Sequence, residues 1–119
     1  PWNRQRFGIV PDGKPARTDY RVLSEGEFNQ TKVGEKFSLV SVSPHSGRTH
    51  QIRLHLAFLG CPIVGDRVYG HRKQLLEANR QMLHAYQIEF ILPGETSSQI
   101  FQAPIPEDMY KLLTELRYQ

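Results

Sequence analysis

Thr49-His50-Gln51-Ile52-Arg53-Leu54-His55-Leu56-Ala57-Phe58-Leu59, followed at once by Gly60-Cys61-Pro62, is the stretch on which the fold turns. Gly60 and Pro62 are helix stop signals, so the run reads as one helix over 49–59. At about 100° per residue, Ile52, Leu56 and Leu59 fall on one arc and Leu54 with Phe58 on another. Thr49, His50, Arg53 and Ala57 share a narrow third arc. A helix apolar on two sides is predicted to lie buried in a core, with its polar strip aimed at something specific.

Working outward, residues 17–24 hold Thr18, Tyr20 and Val22 in period-two register, the mark of a strand. Residues 37–42 repeat the pattern, and the two are predicted to pair antiparallel through the loop around 25–34. Residues 1–16, with Pro1, Pro11, Pro15, Gly8 and Gly13, read as an extended lead-in. Downstream, 71–81 reads as a short helix, and 83–92 and 98–103 as strands around a Pro93-Gly94 turn. Residues 107–118 read as a final helix with Pro106 at its start and Met109, Leu112, Leu113 and Leu116 facing inward. This order predicts an α+β fold: an incomplete, largely antiparallel or mixed sheet with helices packed on it, not a parallel βαβ layer.

At 119 residues the chain is expected to form one domain, with 39% hydrophobic and 10% aromatic residues, an ordinary globular composition. The single Cys61 excludes an intrachain disulfide and fits a reducing, cytoplasmic setting. No apolar run approaches the roughly 18 residues of a membrane span. The net charge of +3 is unevenly placed. Residues 45–73 carry Arg48, Arg53, Arg67, Arg72 and Lys73 against Asp66 alone, with four of the five histidines. The last residues lean acidic through Glu95, Glu107, Asp108 and Glu115. A basic centre with an acidic tail fits a polyanion-binding face, as it also fits uneven surface charge.

The run from Ser46-Gly47-Arg48-Thr49-His50-Gln51-Ile52-Arg53-Leu54-His55-Leu56 through Leu59-Gly60-Cys61-Pro62-Ile63-Val64-Gly65-Asp66-Arg67-Val68-Tyr69-Gly70 resembles the third motif of RluA-type RNA pseudouridine synthases. Gly13-Lys14-Pro15-Ala16-Arg17-Thr18, Tyr20-Arg21-Val22-Leu23, Leu83-His84-Ala85 and Ala103-Pro104-Ile105-Pro106 are similar to flanking parts of the same catalytic domain. The resemblance therefore covers nearly the whole chain and implies the C-terminal half of that domain. Two departures stand out. Phe90-Ile91-Leu92-Pro93 lacks a histidine the family often places before the proline. The family's nucleophilic aspartate belongs to a His-Arg-Leu-Asp segment, and none of Asp12, Asp19, Asp66 and Asp108 follows an Arg-Leu pair.

The resemblance implies isomerisation of uridine to pseudouridine in structured ribosomal or transfer RNA, without metal, redox cofactor or ATP. The uracil is detached from its ribose, turned and rejoined through carbon. This requires a nucleophilic carboxylate, a cation that keeps it ionised, and a dry pocket for a flipped base. By resemblance, Arg53 is the cation that pairs with the aspartate. From the residues alone its place on the one polar arc of the helix fits that role, and it also reads as an arginine snorkelling to solvent from a helix end.

Arg48, Thr49, His50 and Gln51 open the helix, where N–H groups and the dipole suit a phosphate, and Arg48 and Arg67 are candidates for RNA backbone contacts. The same residues also read as a helix cap with solvated charges. Tyr20, Tyr69 and Tyr86 read as core or surface aromatics. With the nucleophile missing, the chain alone is expected to be inactive. Arg53→Ala is expected to leave its stability unchanged or improved, and an unpaired strand edge is expected to invite dimerisation or aggregation.

Other chemistries fare worse. His45, His50 and His55 are spaced by five, which at about 100° per residue advances about 500° and splays them around a helix, so they make no metal site. Cys61 and the serines lack a partnering base. The surviving rival is a free-standing, non-catalytic RNA-binding module.

Overall fold

The alternation around Thr18, Tyr20 and Val22 is realised as a 13-residue strand, and most of the described chain is arranged about it. The structure, a computed structural model, describes residues 5–9, 16–28, 36–47, 49–70 and 78–118. In chain order the elements are β1 (Gln5–Ile9), β2 (Ala16–Phe28), β3 (Phe37–Pro44), α1 (Gln51–Phe58), β4 (Gln87–Ile91), β5 (Ser98–Gln102), α2 (Glu107–Glu115) and β6 (Leu116–Tyr118). Every described strand pairing is antiparallel. The α+β class and the β2–β3 pairing agree with the sequence reading. The single sheet does not, because among the described residues the strands form two sheets: β1-β2-β3 with β6 also on β2, and β4-β5.

The chain falls into two compact units, Pro1–Met82 with Leu116–Gln119, and Leu83–Glu115. In the first, the pairs Val22↔Val40 and Ser24↔Leu39 leave Leu23 unopposed, a bulge within β2. Helix α1 lies against β1, β2 and β3. It ends as Gly60 and Pro62 foretold. Gly60 takes a left-handed φ of 84°, its N–H reaches the Ala57 carbonyl, and the Cys61 N–H reaches that of Leu56.

What α1 buries is not what its arcs suggested. Among the described residues the buried side chains are Ala16, Thr18, Asp19, Gln51, His55 and Asp66, and five of these six are polar. Ile52, Leu54 and Leu56 are half-buried, and Phe58 is 70% exposed. The contact face is the pair Gln51 and His55, one turn apart and so on one side of the helix. Gln51 Nε2 donates to the Arg17 carbonyl at 2.9 Å and to Thr18 Oγ1 at 3.0 Å, while Ser46 Oγ donates to Gln51 Oε1 at 2.7 Å. His55 Nδ1 lies 2.6 Å from Thr18 Oγ1. These hydrogen bonds satisfy groups that would be costly to bury alone, so a polar seam takes the place of an apolar one.

The second unit contains a hairpin and α2. Pro93 and Gly94, with Gly94 at φ 84° and the Glu95 N–H on the Leu92 carbonyl, make the β4–β5 turn that the sequence announced. Phe90 and Phe101 stack at 5.2 Å across the two strands. The final helix starts after Pro106 as expected but stops at Glu115, because Leu116–Tyr118 pairs with Gly26–Phe28 of β2. The helix expected over 71–81 lies mostly outside the described residues, and 78–81 is not helical. Among the described residues no helix is long and apolar enough to cross a membrane.

Thr18→Val keeps the volume and removes the hydroxyl that faces both Gln51 and His55. It should cost about 1–3 kcal/mol of stability, with Thr18→Ser costing less. Urea midpoints measure this, and a midpoint unmoved by the valine would show that the seam does not hold α1.

Candidate functional site

Arg53 leaves α1 and meets Asp66, a carboxylate on a turn thirteen residues later. Nε donates to Oδ2 at 2.8 Å and Nη2 to Oδ1 at 2.9 Å, a bidentate pair. The Arg53 side chain is 13% exposed and that of Asp66 is fully buried. Oδ1 also accepts the N–H groups of Val68 at 3.0 Å and Tyr69 at 3.1 Å, which closes the turn on the carboxylate. The Arg53 hydrogen bond, opposed by burial and helped by the two N–H groups, holds Asp66 well below the usual carboxylate range. The same pairing raises Arg53.

Two glycines make this turn possible. Gly65 has φ 83°, and a Cβ there would run into the Arg80 carbonyl; a Cβ on Gly70 would meet the Asp66 carbonyl. Tyr69, which closes the turn, lays its ring 5.2 Å from the Arg53 Cζ, a cation–π distance. Its hydroxyl lies 3.0 Å from His50 Nδ1. His50 precedes α1 in a left-handed conformation, φ 52°, which is uncommon for a residue other than glycine.

Thus the structure brings Arg53 and His50 together through Tyr69 and Asp66, neither of which was singled out for the site from sequence. Their signal was present: Asp66 is the one acid in the basic stretch 45–73. Thr49 and Arg67 are exposed. Arg48 lies outside the described residues. Gln51 is buried, with its side-chain amide on the Arg17 carbonyl and Thr18. The expectation that Arg53→Ala leaves stability unchanged, which takes Arg53 to have no carboxylate partner in this chain, is corrected, because Asp66 supplies one.

A second constellation lies on β2. Asp19, buried, takes two hydrogen bonds from Arg17 at 3.0 and 3.1 Å, and His45 Nε2 lies 2.9 Å from its Oδ2. Arg17 first, then His45, bring Asp19 down to about 2 against the opposing effect of burial. Burial lowers His55 from its ordinary value.

Residues 4–58 match the RNA pseudouridylate synthase family. The chain is 45% identical, over 98% of its length, to an uncharacterized RNA pseudouridine synthase of Chloroflexus aurantiacus. It is 39% identical over 98% of its length to ribosomal large subunit pseudouridine synthase D of Nitrosomonas europaea. It spans about a third of these relatives, 34% of each. Among solved structures, human RNA pseudouridylate synthase domain containing 1 superposes with a TM-score of 0.68 at 29% identity, covering 85% of this chain and 48% of that one.

Arg53→Ala strands a buried carboxylate and should lower the urea midpoint at neutral pH, where the sequence alone suggested no cost. Acid should lower stability in two stages. His55, lowered on folding, begins to cost stability as pH falls below its ordinary 6.5. Asp19 and Asp66, both lowered from 3.8, stabilise fully above about pH 4 and lose that contribution below it. Urea midpoints against pH should show both limbs, and Asp66→Asn should flatten the lower one.

Proposed function

The chain belongs to the RNA pseudouridylate synthase family, and on that premise we propose that it is part of an enzyme that isomerises uridine to pseudouridine in structured RNA. The large-subunit relatives favour ribosomal RNA as the substrate, with transfer RNA as the other candidate. The setting is cytoplasmic. The chain corresponds to the C-terminal portion of the catalytic domain, and a portion outside these 119 residues supplies the aspartate nucleophile.

The observation that carries this reading is Arg53: a cation almost enclosed by protein, on the helix of the family-like motif, fixed in orientation yet not used up. A guanidinium has five N–H groups, and the Asp66 pair takes one on Nε and one on Nη2. The others can meet a second carboxylate, which is what an aspartate nucleophile near a base needs to stay ionised. Arg48, Thr49, His50 and Arg67 are assigned to the RNA backbone. Among these, His50 stands on the Tyr69 side of Arg53.

Tritium release from uridine-labelled RNA by the full-length protein tests the assignment. Arg53→Ala should lower the rate at least about a hundredfold, and Arg53→Lys should retain more activity because the charge survives. The 119-residue chain alone should show no turnover. Full activity of Arg53→Ala would remove Arg53 from the chemistry. No turnover by the full-length protein on any cellular RNA pool would favour the non-catalytic RNA-binding module.

RNA binding by the 119-residue chain should rest on phosphate contacts. It should be weak, indifferent to sequence, and lost between about 50 and 200 mM salt. Filter binding across that range reads it directly, and tight, sequence-selective binding at the upper end would mean that recognition lies in side chains other than those named.

A further inference from the structure

We propose that Asp66 is a positioning residue for Arg53, fixing the orientation in which the guanidinium is presented to the reacting carboxylate. The inference rests on the reading of Arg53 given above and adds a residue to it.

The plain alternative is that Asp66 only caps its own turn. Its Oδ1 does accept the Val68 and Tyr69 N–H groups, and an asparagine or serine would serve that purpose as well. A turn cap has no need of a second oxygen aimed at another element. Yet Oδ2 takes the Arg53 Nε at 2.8 Å while Oδ1 takes Nη2 at 2.9 Å. A two-point contact fixes the plane of the guanidinium, which a single contact leaves free to swivel. Tyr69, held by the same carboxylate through its N–H, then brings its ring to 5.2 Å from Cζ. One side chain thereby sets both the edge and the face restraint on Arg53.

The surrounding backbone is shaped to deliver this carboxylate. Gly65 adopts a left-handed φ with no room for a Cβ beside the Arg80 carbonyl, and Gly70 has no room for one beside the Asp66 carbonyl. The remaining N–H groups of Arg53 are therefore displayed in a fixed direction. Preorganised donors of this kind act on the reacting state, so losing them should lower turnover more than substrate binding.

The test compares Asp66→Asn and Asp66→Ser in the full-length enzyme. Asparagine keeps the turn-capping oxygen and sets an N–H₂ against the Arg53 Nε–H; serine keeps a cap and withdraws the arm to Arg53. Both should lower kcat about a hundredfold with KM essentially unchanged, at temperatures where melts show them folded. Because Asp66 acts through Arg53, the double variant Arg53→Ala with Asp66→Asn should be no slower than Arg53→Ala alone. Should either Asp66 variant fold poorly, the Arg53 Nε–H resonance of the other gives an independent reading. That resonance should be sharp and slowly exchanging in the wild type and lost in the variant. Asp66 variants with wild-type kcat beside a crippled Arg53→Ala would overturn this inference alone. Arg53→Ala with wild-type kcat would overturn the underlying reading and this inference together.

Discussion

A carboxylate shut off from water must be paired, and in this chain that requirement falls on Asp66 and is met by Arg53. Around the pair the local structure has little freedom. The turn that carries Asp66 needs glycine at positions 65 and 70, its closing residue Tyr69 lands over the guanidinium, and Tyr69 in turn engages His50 beside the start of α1. A buried ion pair is a poor source of net stability, because desolvating two charges offsets most of their attraction. A hydrophobic pair of similar volume would hold helix and turn together as well. What the ion pair adds is direction: a planar fork locked to a planar carboxylate points one way.

That direction depends in turn on how α1 is held. At eight residues the helix is well short of what is stable alone in water. It is clamped by polar contacts on two sides. Gln51 and His55 engage Thr18 on β2, and Arg53, about 200° around the helix from Gln51, engages Asp66. A rotation of α1 that improved one seam would open the other. Ile52, Leu54 and Leu56 are only half-buried. The hydrogen-bonded end at Gly60 and Cys61 fixes where the chain leaves the helix on its way to the Gly65 turn.

This division explains what could be read from the amino acids. The Gly60 stop, the β2–β3 pairing and the Pro93-Gly94 hairpin were legible because each depends on neighbours in sequence. The buried face of α1 was not, since periodicity arguments look for apolar residues and this face consists of a glutamine and a histidine. Nor was β6, where an amphipathic helical pattern gives way to strand only because Gly26–Phe28 offers a partner. Arg53 was marked by its place on a polar arc, but its partner was hidden in a turn where period says nothing. The one clue was an acid alone among cations, which charge counting noted and had no geometry to use.

The Asp66 contact also changes what Arg53 can do for a nucleophile. A lone guanidinium would offer a nearby carboxylate a full positive charge and depress its pKa strongly. With Asp66 already paired, much of that charge is compensated, and a second carboxylate meets a guanidinium whose field is partly spent. What survives undiminished is the geometry of the remaining N–H groups, which can still grip a carboxylate oxygen at a set angle. The arrangement around Asp66 therefore sets the direction in which those N–H groups point.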